Sequence, residues 1–268
     1  MAKHRRAWNS TVYRRYISEG RGQGAGADYK PWIVIQDFAS KGMVSRVAGA
    51  TTGRIHHLMS NLEMQLFYLL DWSDDVTDIR EQYPLSDLSE AIKIAECERI
   101  QYPYDPISGF PYVMTSDFYI ETTGSAYILS VKPSMELAKP RVREKLEIER
   151  RYWTGRGLSW KIVTEHEINR TKAANIEWLA QAKDLSIFEL SKFKQSACIE
   201  YFLANYRNDR FSLSRLLTET EQAFSLVEGM GLNIFKHLAY WKHIAFIADE
   251  RFVLSQTGRD YCSIGGAI

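Results

Sequence analysis

Two apolar segments joined by a short turn constrain the fold of this 268-residue chain more than any other feature. Residues 114–120 and 127–132 are rich in β-branched and aromatic side chains, and a Glu-Thr-Thr-Gly-Ser turn lies between them. This pattern predicts a β-hairpin. Asp117 lies in the middle of the first strand, and Lys132 closes the second. Because side chains alternate between the faces of a strand, we expect Asp117 and Lys132 to approach each other on one face.

Strand and helix patterns alternate on both sides of this hairpin. The periodicity predicts strands over residues 32–38, 76–83 and 158–164, helices over 60–72 and 140–153, loops or short strands over 39–57, and a polar, turn-rich segment over 85–111. Strands flanked by helices in this order predict an α/β core that ends near residue 168.

The character of the sequence changes after about residue 170, where helical patterns dominate. We predict helices over residues 171–181, 188–205, 212–217 and 219–241, followed by a hairpin over 244–254. Helices followed by a terminal hairpin predict a small, mainly helical domain of winged-helix type. The chain is therefore expected to contain two domains, residues 1–170 and residues 171–268.

Charge is balanced over the whole chain but not at its start. Lys plus Arg number 34 and Asp plus Glu number 33, and the formal net charge of +1 predicts no general affinity for polyanions,. Residues 1–30 carry seven basic side chains against two acidic ones, and a glycine-rich stretch at 20–26 interrupts any helix,. Such a basic arm fits either a segment that follows a phosphate backbone or a solvated, flexible terminus.

Composition disfavours several classes of protein. No apolar run reaches the roughly 18–20 residues of a membrane span, and no apolar segment follows the basic N-terminus, so we expect neither a transmembrane protein nor a signal peptide. The cysteines, Cys97, Cys198 and Cys262, are far apart and odd in number, which fits neither a disulfide framework nor a zinc site,. These features are typical of a cytoplasmic protein with reduced thiols.

Two further carboxylates occupy positions that a helix would bury. Glu63 lies on the same helix face as Leu66, Phe67 and Leu70,. In the later helix, Glu149 lies in line with Val142, Leu146 and Trp153. A buried carboxylate is costly unless it is paired, protonated or bound to a cation. Three such carboxylates beside one lysine therefore predict a site for a divalent cation, and hard oxygen ligands suit Mg²⁺.

Phosphodiester hydrolysis is the chemistry that such a site supports. A bound metal ion lowers the pKa of a water molecule and polarises the scissile phosphate. The ammonium group of Lys132 is suited to orient the attacking water and to neutralise the charge that develops in the transition state. No covalent intermediate with the enzyme is required.

Each of these residues also has a purely structural interpretation. The alternatives are a capping-box glutamate for Glu63, an ion pair with a neighbouring arginine for Asp117, a snorkelling strand-end side chain for Lys132, and an ion pair with Lys145, Arg150 or Arg151 for Glu149,. For any one of these residues taken singly, the structural alternative is favoured over a metal site. The joint order of helix Glu, strand Asp, Ser-x-Lys and helix is more specific.

Several longer strings make the chain resemble the TnsA family, the endonuclease subunits of heteromeric cut-and-paste transposases. They lie in order at residues 19–24, 28–32, 52–58, 60–63, 78–84, 116–118, 131–133 and 144–153. The resemblance extends from about residue 13 to residue 180. Beyond residue 185 only the general character matches.

The resemblance implies a restriction-endonuclease-like catalytic domain followed by a winged-helix-like domain. It implies cleavage of double-stranded DNA at the 5′ ends of a transposon, with Mg²⁺ as cofactor and Mn²⁺ as a substitute, in a bacterial cytoplasm. The implied partners are a TnsB-like transposase, which processes the 3′ ends, and a TnsC-like AAA+ ATPase. Glu63, Asp117 and Lys132 match the catalytic triad of the family, and Glu149 matches an acidic position near the site.

Ser130 departs from the family pattern, in which Gln precedes Val-Lys. A serine hydroxyl is a shorter and weaker ligand, and water, the Val131 carbonyl or another carboxylate would complete the metal shell. We therefore list Glu63, Asp117, Ser130, Val131 and Glu149 as candidate ligands. The departure also motivates an alternative function, a catalytically weakened assembly factor that bridges DNA, transposase and ATPase. A third hypothesis is a free-standing restriction enzyme.

Other polar and aromatic clusters allow more than one interpretation. Adjacent His56 and His57 lack a third ligand nearby, so a structural or DNA-contacting role is favoured over zinc binding. The Arg-Glu-Gln string at residues 80–82 fits a role in positioning the catalytic loop, a DNA contact or, equally well, a polar network that supports a strand. Aromatic and basic residues alternate over 235–243, which fits a DNA-binding surface or, as we favour, an amphipathic helix with a buried aromatic face.

Overall fold

A computed structural model of the chain describes residues 8–37, 43–188, 190–206, 212–250 and Phe252. The chain forms two compact units, and the boundary between them lies between Ile168 and Asn169. The first unit contains helices α1 (Ser10–Ser18), α2 (Asn61–Asp71), α3 (Leu88–Cys97) and α4 (Pro140–Thr154), and strands β1 (Ser45–Ala48), β2 (Ile55–Leu58), β3 (Val76–Pro84), β4 (Thr115–Thr122), β5 (Ala126–Val131) and β6 (Ser159–Val163).

A four-stranded mixed sheet in the order β3-β4-β5-β6 forms the centre of the first unit. Strand β4 runs antiparallel to both β3 and β5, whereas β6 runs parallel to β5. The parallel pair requires a crossover connection, which α4 provides. The predicted hairpin is confirmed, with Phe118 opposite Leu129. Strands β1 and β2 form a separate antiparallel pair.

Helices cover the sheet on both faces, which confirms the predicted α/β class. On one face α2 contributes Phe67 to a core with Ile79, Phe118 and Leu129. On the other face α3 and α4 build a second core, to which α4 contributes Ile148, Tyr152 and Trp153. These residues recur at helical spacing on α4, so burial of one stripe per helix explains the arrangement.

The predicted strand over residues 32–38 is wrong. The described part of this segment contains a 3-10 turn at Ile35–Asp37 instead of a strand, and residue 38 lies outside the described residues. Asp37 accepts a hydrogen bond from the Val34 N–H at 2.8 Å, which stabilises the turn. Trp32 is buried against Trp8 and Tyr16, so the apolar segment packs on aromatic side chains rather than pairing in a sheet.

The basic N-terminal segment folds onto the first unit over its described residues. Arg21 is paired with Glu19 and Asp37 at 2.7 and 2.5 Å, and a glycine loop is closed by the Lys30 N–H donating to the Gln23 carbonyl. Gly24 has a φ of +90°, and a Cβ there would lie 2.5 Å from the Asp28 carbonyl oxygen. The flexible-terminus interpretation is therefore wrong for residues 8–30, and residues 1–7 lie outside the described part.

Helix α3 lies inside the segment that was predicted to be turn-rich. The side chain of Asp87 caps it by accepting from the Glu90 N–H at 3.0 Å. Ala91 and Ala95, four residues apart, are both buried. The Asp-x-x-Glu spacing before this pair was a helix-start signal in the sequence, and the small size of alanine made the buried stripe inconspicuous.

The second unit is helical over its described residues, with α5 (Arg170–Ala180), α6 (Lys192–Tyr206), α7 (Leu213–Ala223) and α8 (Met230–Tyr240). The break between the last two helices comes later than predicted, because α7 extends to Ala223 and α8 begins only at Met230. Gly231 allows α7 and α8 to pack closely, since a Cβ there would lie 2.5 Å from the Leu217 carbonyl oxygen. Phe235 and Tyr240 of α8 are buried, which confirms the predicted buried aromatic face for these two residues, whereas Trp241, just after the helix, is 46% exposed.

The predicted terminal hairpin does not form over the described residues 244–250 and 252, which are loop and turn. Ile244 and Ala248 are buried, but Asn175 donates its amide hydrogens to the Ala248 and Glu250 carbonyls. A side chain thus satisfies backbone groups that a partner strand would otherwise bond. Residues 253–254 of the prediction lie outside the described part, and a winged-helix fold stays a prediction.

Candidate active site

Glu63 lies in the first turn of α2 and is held by the start of that helix. Ser60 caps the helix: its hydroxyl accepts from the Glu63 N–H at 3.2 Å and donates to Glu63 Oε1 at 2.9 Å. The Met59 N–H donates to Glu63 Oε2 at 2.9 Å. The capping-box interpretation is therefore correct. The same contacts also fix the direction of the buried carboxylate. The capping role of Glu63 is therefore compatible with a role as a metal ligand.

Asp117 and Lys132 meet at the end of the β4–β5 hairpin, as the sequence predicts. Lys132 Nζ lies 2.9 Å from Asp117 Oδ2 and 2.8 Å from the Val131 carbonyl oxygen. The Val131 N–H donates to the same Asp117 Oδ2 at 2.5 Å. Backbone pairing of the two strands ends at Phe118 and Leu129. The carboxylate therefore bonds an N–H that the hairpin leaves unpaired.

The electrostatics connect Glu63 to this pair. Burial, reinforced by the negative charge of Asp117, raises the pKa of Glu63 to about 7, while the Lys132 ammonium opposes the rise. Burial lowers the pKa of Lys132, but the charges of Asp117, Glu149 and Glu63 outweigh this effect and raise it overall. The structure therefore brings two carboxylates and one ammonium group close enough to influence one another.

Glu149 lies beneath this group, in a closed set of hydrogen bonds. Glu149 Oε2 accepts from the hydroxyls of Ser130 and Ser116 at 2.5 and 2.9 Å. These hydroxyls in turn accept from the indole N–H groups of Trp160 and Trp153. Burial raises the pKa of Glu149 to about 7, although the Lys132 ammonium opposes this.

The structural alternative for Glu149, an ion pair with a basic residue of its own helix, is wrong. Arg150 and Arg151 pair instead with Glu147, each at 2.7 Å. Among the ion pairs of the described residues, none joins Glu149 to Lys145.

Gln82, the last residue of the Arg-Glu-Gln string noted in the sequence, lies beside Asp117 in an unusual backbone conformation. It has a φ of +50°, which is uncommon for a residue other than glycine,. It lies in β3 beside Asp117, between the register pairs Glu81–Phe118 and Tyr83–Ser116, and Thr115 donates a hydrogen bond to Gln82 Oε1 at 3.0 Å.

The direction of the side chains changes at this point of the sheet. Regular alternation would place Ile79 and Tyr83 on one face. Instead Ile79 packs in the core under α2 and Tyr83 in the core under α4. On the neighbouring strand, Phe118 of β4 packs in the core under α2, whereas Met114, just before β4, packs in the core under α4. Asp117 therefore lies where the strands turn from one core to the other, and no residue pattern in the sequence marks this distortion.

Glu81 anchors the segment that leads into α2. It is completely buried and pairs with Arg54 at 2.5 Å and His56 Nδ1 at 2.7 Å. The backbone N–H of His57 also donates to Glu81. Burial would raise the pKa of Glu81, but the hydrogen bonds from Arg54 and His56 outweigh it and hold the pKa at about 2. The polar-network interpretation of this string is correct for Glu81.

This anchoring explains the position of Glu63. Strand β2, which contains His56 and His57, runs directly into the Met59–Ser60 step that holds the Glu63 carboxylate. His56 also lies with its ring 4.5 Å from Phe67 of α2. The two histidines thus have structural contacts, as we favoured.

The donor set fits a magnesium ion better than a softer metal. The available groups are the carboxylates of Glu63 and Asp117 and the Val131 carbonyl, all of them oxygen donors. Mg²⁺ is usually held by one or two carboxylates, with waters and substrate phosphate completing its shell. The described residues hold no group of three acidic, His or Cys side chains arranged around one point, which is compatible with such a sparse shell. Asp117 helps to raise the pKa of Glu63 to about 7, and a cation bound between the two carboxylates would favour the ionised form of both.

Comparison with known proteins identifies the family. A model described as the TnsA-like endonuclease N-terminal domain matches residues 73–165, and one described as the TnsA endonuclease C-terminal domain matches residues 167–246. The chain belongs to the TnsA endonuclease family. The transposon Tn7 transposition protein TnsA of Escherichia coli is 41% identical over 186 residues, which is 68% of this chain and 67% of that protein.

Family membership confirms the resemblance drawn from the sequence and implies a transposition endonuclease. The N-terminal family match includes Asp117, Ser130, Lys132 and Glu149 and begins after Glu63. No helix of the described residues is long and apolar enough to cross a membrane.

Proposed function

We propose that the protein is a Mg²⁺-dependent DNA endonuclease that hydrolyses the 5′ strands at transposon ends. The observation that carries this proposal is the convergence of Glu63, Asp117 and Lys132 from a helix and two strands. Membership of the TnsA family supports DNA transposition as the setting. The strand that is cut and the need for a metal ion belong to the proposal.

Asp117, Glu63 and the Val131 carbonyl are the groups that would hold the metal ion. When bound, Mg²⁺ supplies a water molecule of lowered pKa and polarises the phosphate. Glu149, at a family acidic position, and Ser130, which departs from the family pattern, remain candidate ligands. In this structure the Ser130 hydroxyl donates a hydrogen bond to Glu149 at 2.5 Å. We therefore assign both residues first to a structural role beneath Asp117 and Lys132.

Lys132 supplies the positive charge of the site. Its raised pKa keeps the ammonium group protonated at neutral pH, and its contacts to Asp117 and the Val131 carbonyl fix its direction. An ammonium group held in this way orients a water molecule and stabilises the negative charge that develops on the phosphate. The capping contacts of Glu63 hold the second carboxylate in place before substrate arrives, which lowers the cost of reorganisation.

The decisive experiment is 5′-strand nicking of transposon-end DNA by Asp117→Ala, with the TnsB-like and TnsC-like partners present. We expect the variant to lose nicking and to retain partner binding, because Asp117 contacts Lys132 and the proposed metal. Glu121→Ala is the matched control, since Glu121 lies on the same strand with its side chain 44% exposed, and it should cut like the wild type. Undiminished cleavage by Asp117→Ala would refute the assignment.

One observation favours a second candidate, an assembly factor that bridges DNA, a TnsB-like transposase and a TnsC-like ATPase. Ser130 stands where the family pattern has Gln, and its hydroxyl is engaged by Glu149 and Trp160. Calorimetry with Mg²⁺ or Mn²⁺ separates the two candidates. Absence of binding heat, together with transposition that survives Lys132→Ala, would favour the assembly factor.

A further inference from the structure

The basic side chains of helix α4 differ in whether they have a partner among the described residues. Arg141 pairs with Glu144 at 2.8 Å, and Arg143 donates to the Leu137 and Ala138 carbonyls. Arg150 and Arg151 pair with Glu147. Lys145 is exposed and has no hydrogen bond or ion pair to any of the described residues.

The position of Lys145 on the helix relates it to the site. Lys145 lies one turn before Glu149, and side chains four residues apart on a helix are neighbours. Glu149 bonds Ser130, and Lys132 follows two residues later on the same strand. Arg141 lies one turn on the other side of Lys145. The exposed stripe of α4 therefore leads from solvent to the rim of the candidate active site.

The charges around Lys145 are unfavourable in the absence of an anion. Burial of part of the side chain lowers the pKa of Lys145, and the positive charges of Arg141 and Lys132 lower it further. The attraction of Glu149 only partly opposes this. An anion bound near Lys145 would offset the repulsion from these two cations.

We propose that Lys145 binds a backbone phosphate next to the scissile phosphate and so holds the DNA strand in register with Asp117 and Lys132. This inference rests on the proposed nuclease function, because the scissile phosphate must lie at those residues. Lysine is a usual ligand of DNA phosphates, and such contacts set position rather than sequence preference. The residue belongs to the string at 144–153, of which the mechanism otherwise uses only Glu149.

The first test measures binding to a transposon-end duplex in Ca²⁺, with the TnsB-like partner present, over a range of salt concentrations. Removing one phosphate contact lowers the slope of log affinity against log salt by about 0.9. We expect Lys145→Ala to show this decrease and Lys145→Arg to retain the wild-type slope. Lys93→Ala is the matched control, because Lys93 is also an exposed lysine, lying on α3 beside the other end of α4. It should leave the slope unchanged.

The second test identifies the phosphate. Duplexes are prepared in which single phosphates next to the scissile one are replaced by neutral methylphosphonates. At one position the wild type should show a KM at least fivefold higher, with kcat within twofold, whereas Lys145→Ala should be insensitive to that replacement. Wild-type slope and KM in Lys145→Ala would overturn the inference, as would a loss confined to kcat.

The outcomes separate this inference from the proposed function. If Asp117→Ala cuts like the wild type while Lys145→Ala still lowers the salt slope, the nuclease assignment fails and the phosphate contact stands. If Asp117→Ala is inactive and Lys145→Ala behaves as wild type in both tests, only the phosphate contact fails.

Discussion

Ser130 donates its hydroxyl hydrogen to Glu149 across 2.5 Å, and this bond joins the second strand of the hairpin to helix α4. The serine also accepts from the Trp160 indole at 3.1 Å. A residue that departs from the family pattern thus has a defined structural role, holding a buried carboxylate directly behind Asp117 and Lys132.

Ser130→Ala should destabilise the first unit. The substitution removes a donor from the Glu149 carboxylate and an acceptor from the Trp160 indole, and unsatisfied buried groups cost about 1–3 kcal/mol. Denaturant unfolding at pH 8 measures the change. Ser125→Ala, in the exposed turn of the same hairpin, should change stability by less than about 0.5 kcal/mol. Equal stability of Ser130→Ala and wild type would contradict this role.

The pH dependence of stability should reveal the buried Glu149. Its pKa is raised from 4.5 to about 7 in the folded state, so between these values the folded protein holds a proton that the unfolded chain has released. The associated stability is fully present below pH 4.5 and is lost as the pH rises through about 7. One pKa unit corresponds to about 1.4 kcal/mol, so the loss amounts to about 3 kcal/mol.

Glu149→Gln removes this contribution. Urea unfolding in EDTA, from pH 4.5 to pH 8, should therefore show a smaller decrease for the variant than for the wild type. Parallel stability curves for the two proteins would show that Glu149 is not the group that titrates.

Glu81→Gln should be among the most destabilising single changes on the sheet. It leaves Arg54 without its buried carboxylate partner and removes the negative charge beside His56. Breaking a buried ion pair by removing one partner typically costs about 3–5 kcal/mol. Glu121→Gln is the control, because the Arg80–Glu121 pair is partly exposed and such pairs contribute at most about 1 kcal/mol. Similar unfolding midpoints for the two variants would contradict the anchoring role of Glu81.

Trp8→Ala should loosen the N-terminal segment. Trp8 packs against Trp32 and Tyr16 and donates its indole N–H to the Pro111 carbonyl at 2.8 Å. Loss of this contact should cost about 2 kcal/mol, as expected for a largely buried apolar side chain. Ile17→Ala is the control: Ile17 of α1 is 43% exposed, so its replacement should change the free energy of unfolding very little. Limited proteolysis would show faster cleavage near residues 20–30 in Trp8→Ala, and unchanged cleavage would argue against the anchor.

Local patterns were sufficient to predict much of the fold and part of the candidate site. Alternation over residues 114–132 predicted the hairpin and the approach of Asp117 to Lys132, because strand pairing across a short turn leaves few other arrangements. The spacing of Ser60 and Glu63 predicted the helix start and the capping contact. Both features depend on residues that are close in sequence.

Other features depended on distant partners. The apolar residues near Trp32 resemble a strand, but an aromatic surface formed by Trp8 and Tyr16 was available to bury them. Gln82 adopts a positive φ without any sequence signal, because the two cores on either side of the sheet impose it. Glu149 likewise accepts hydrogen bonds from two serines of the sheet instead of pairing with a basic residue of its own helix. The packing of α4 on the sheet determines this.

The sequence by itself determined the main strands and helices around the hairpin, the family, and the residues that come together at the hairpin end, since periodicity and capping act over a few residues. Only the tertiary structure decided which carboxylates are paired, which are buried beside one another, and that Lys145 of α4 has no partner among the described residues. The physical reason is that the free energy of a charge depends on the groups and the solvent around it, and those surroundings exist only after distant segments have packed.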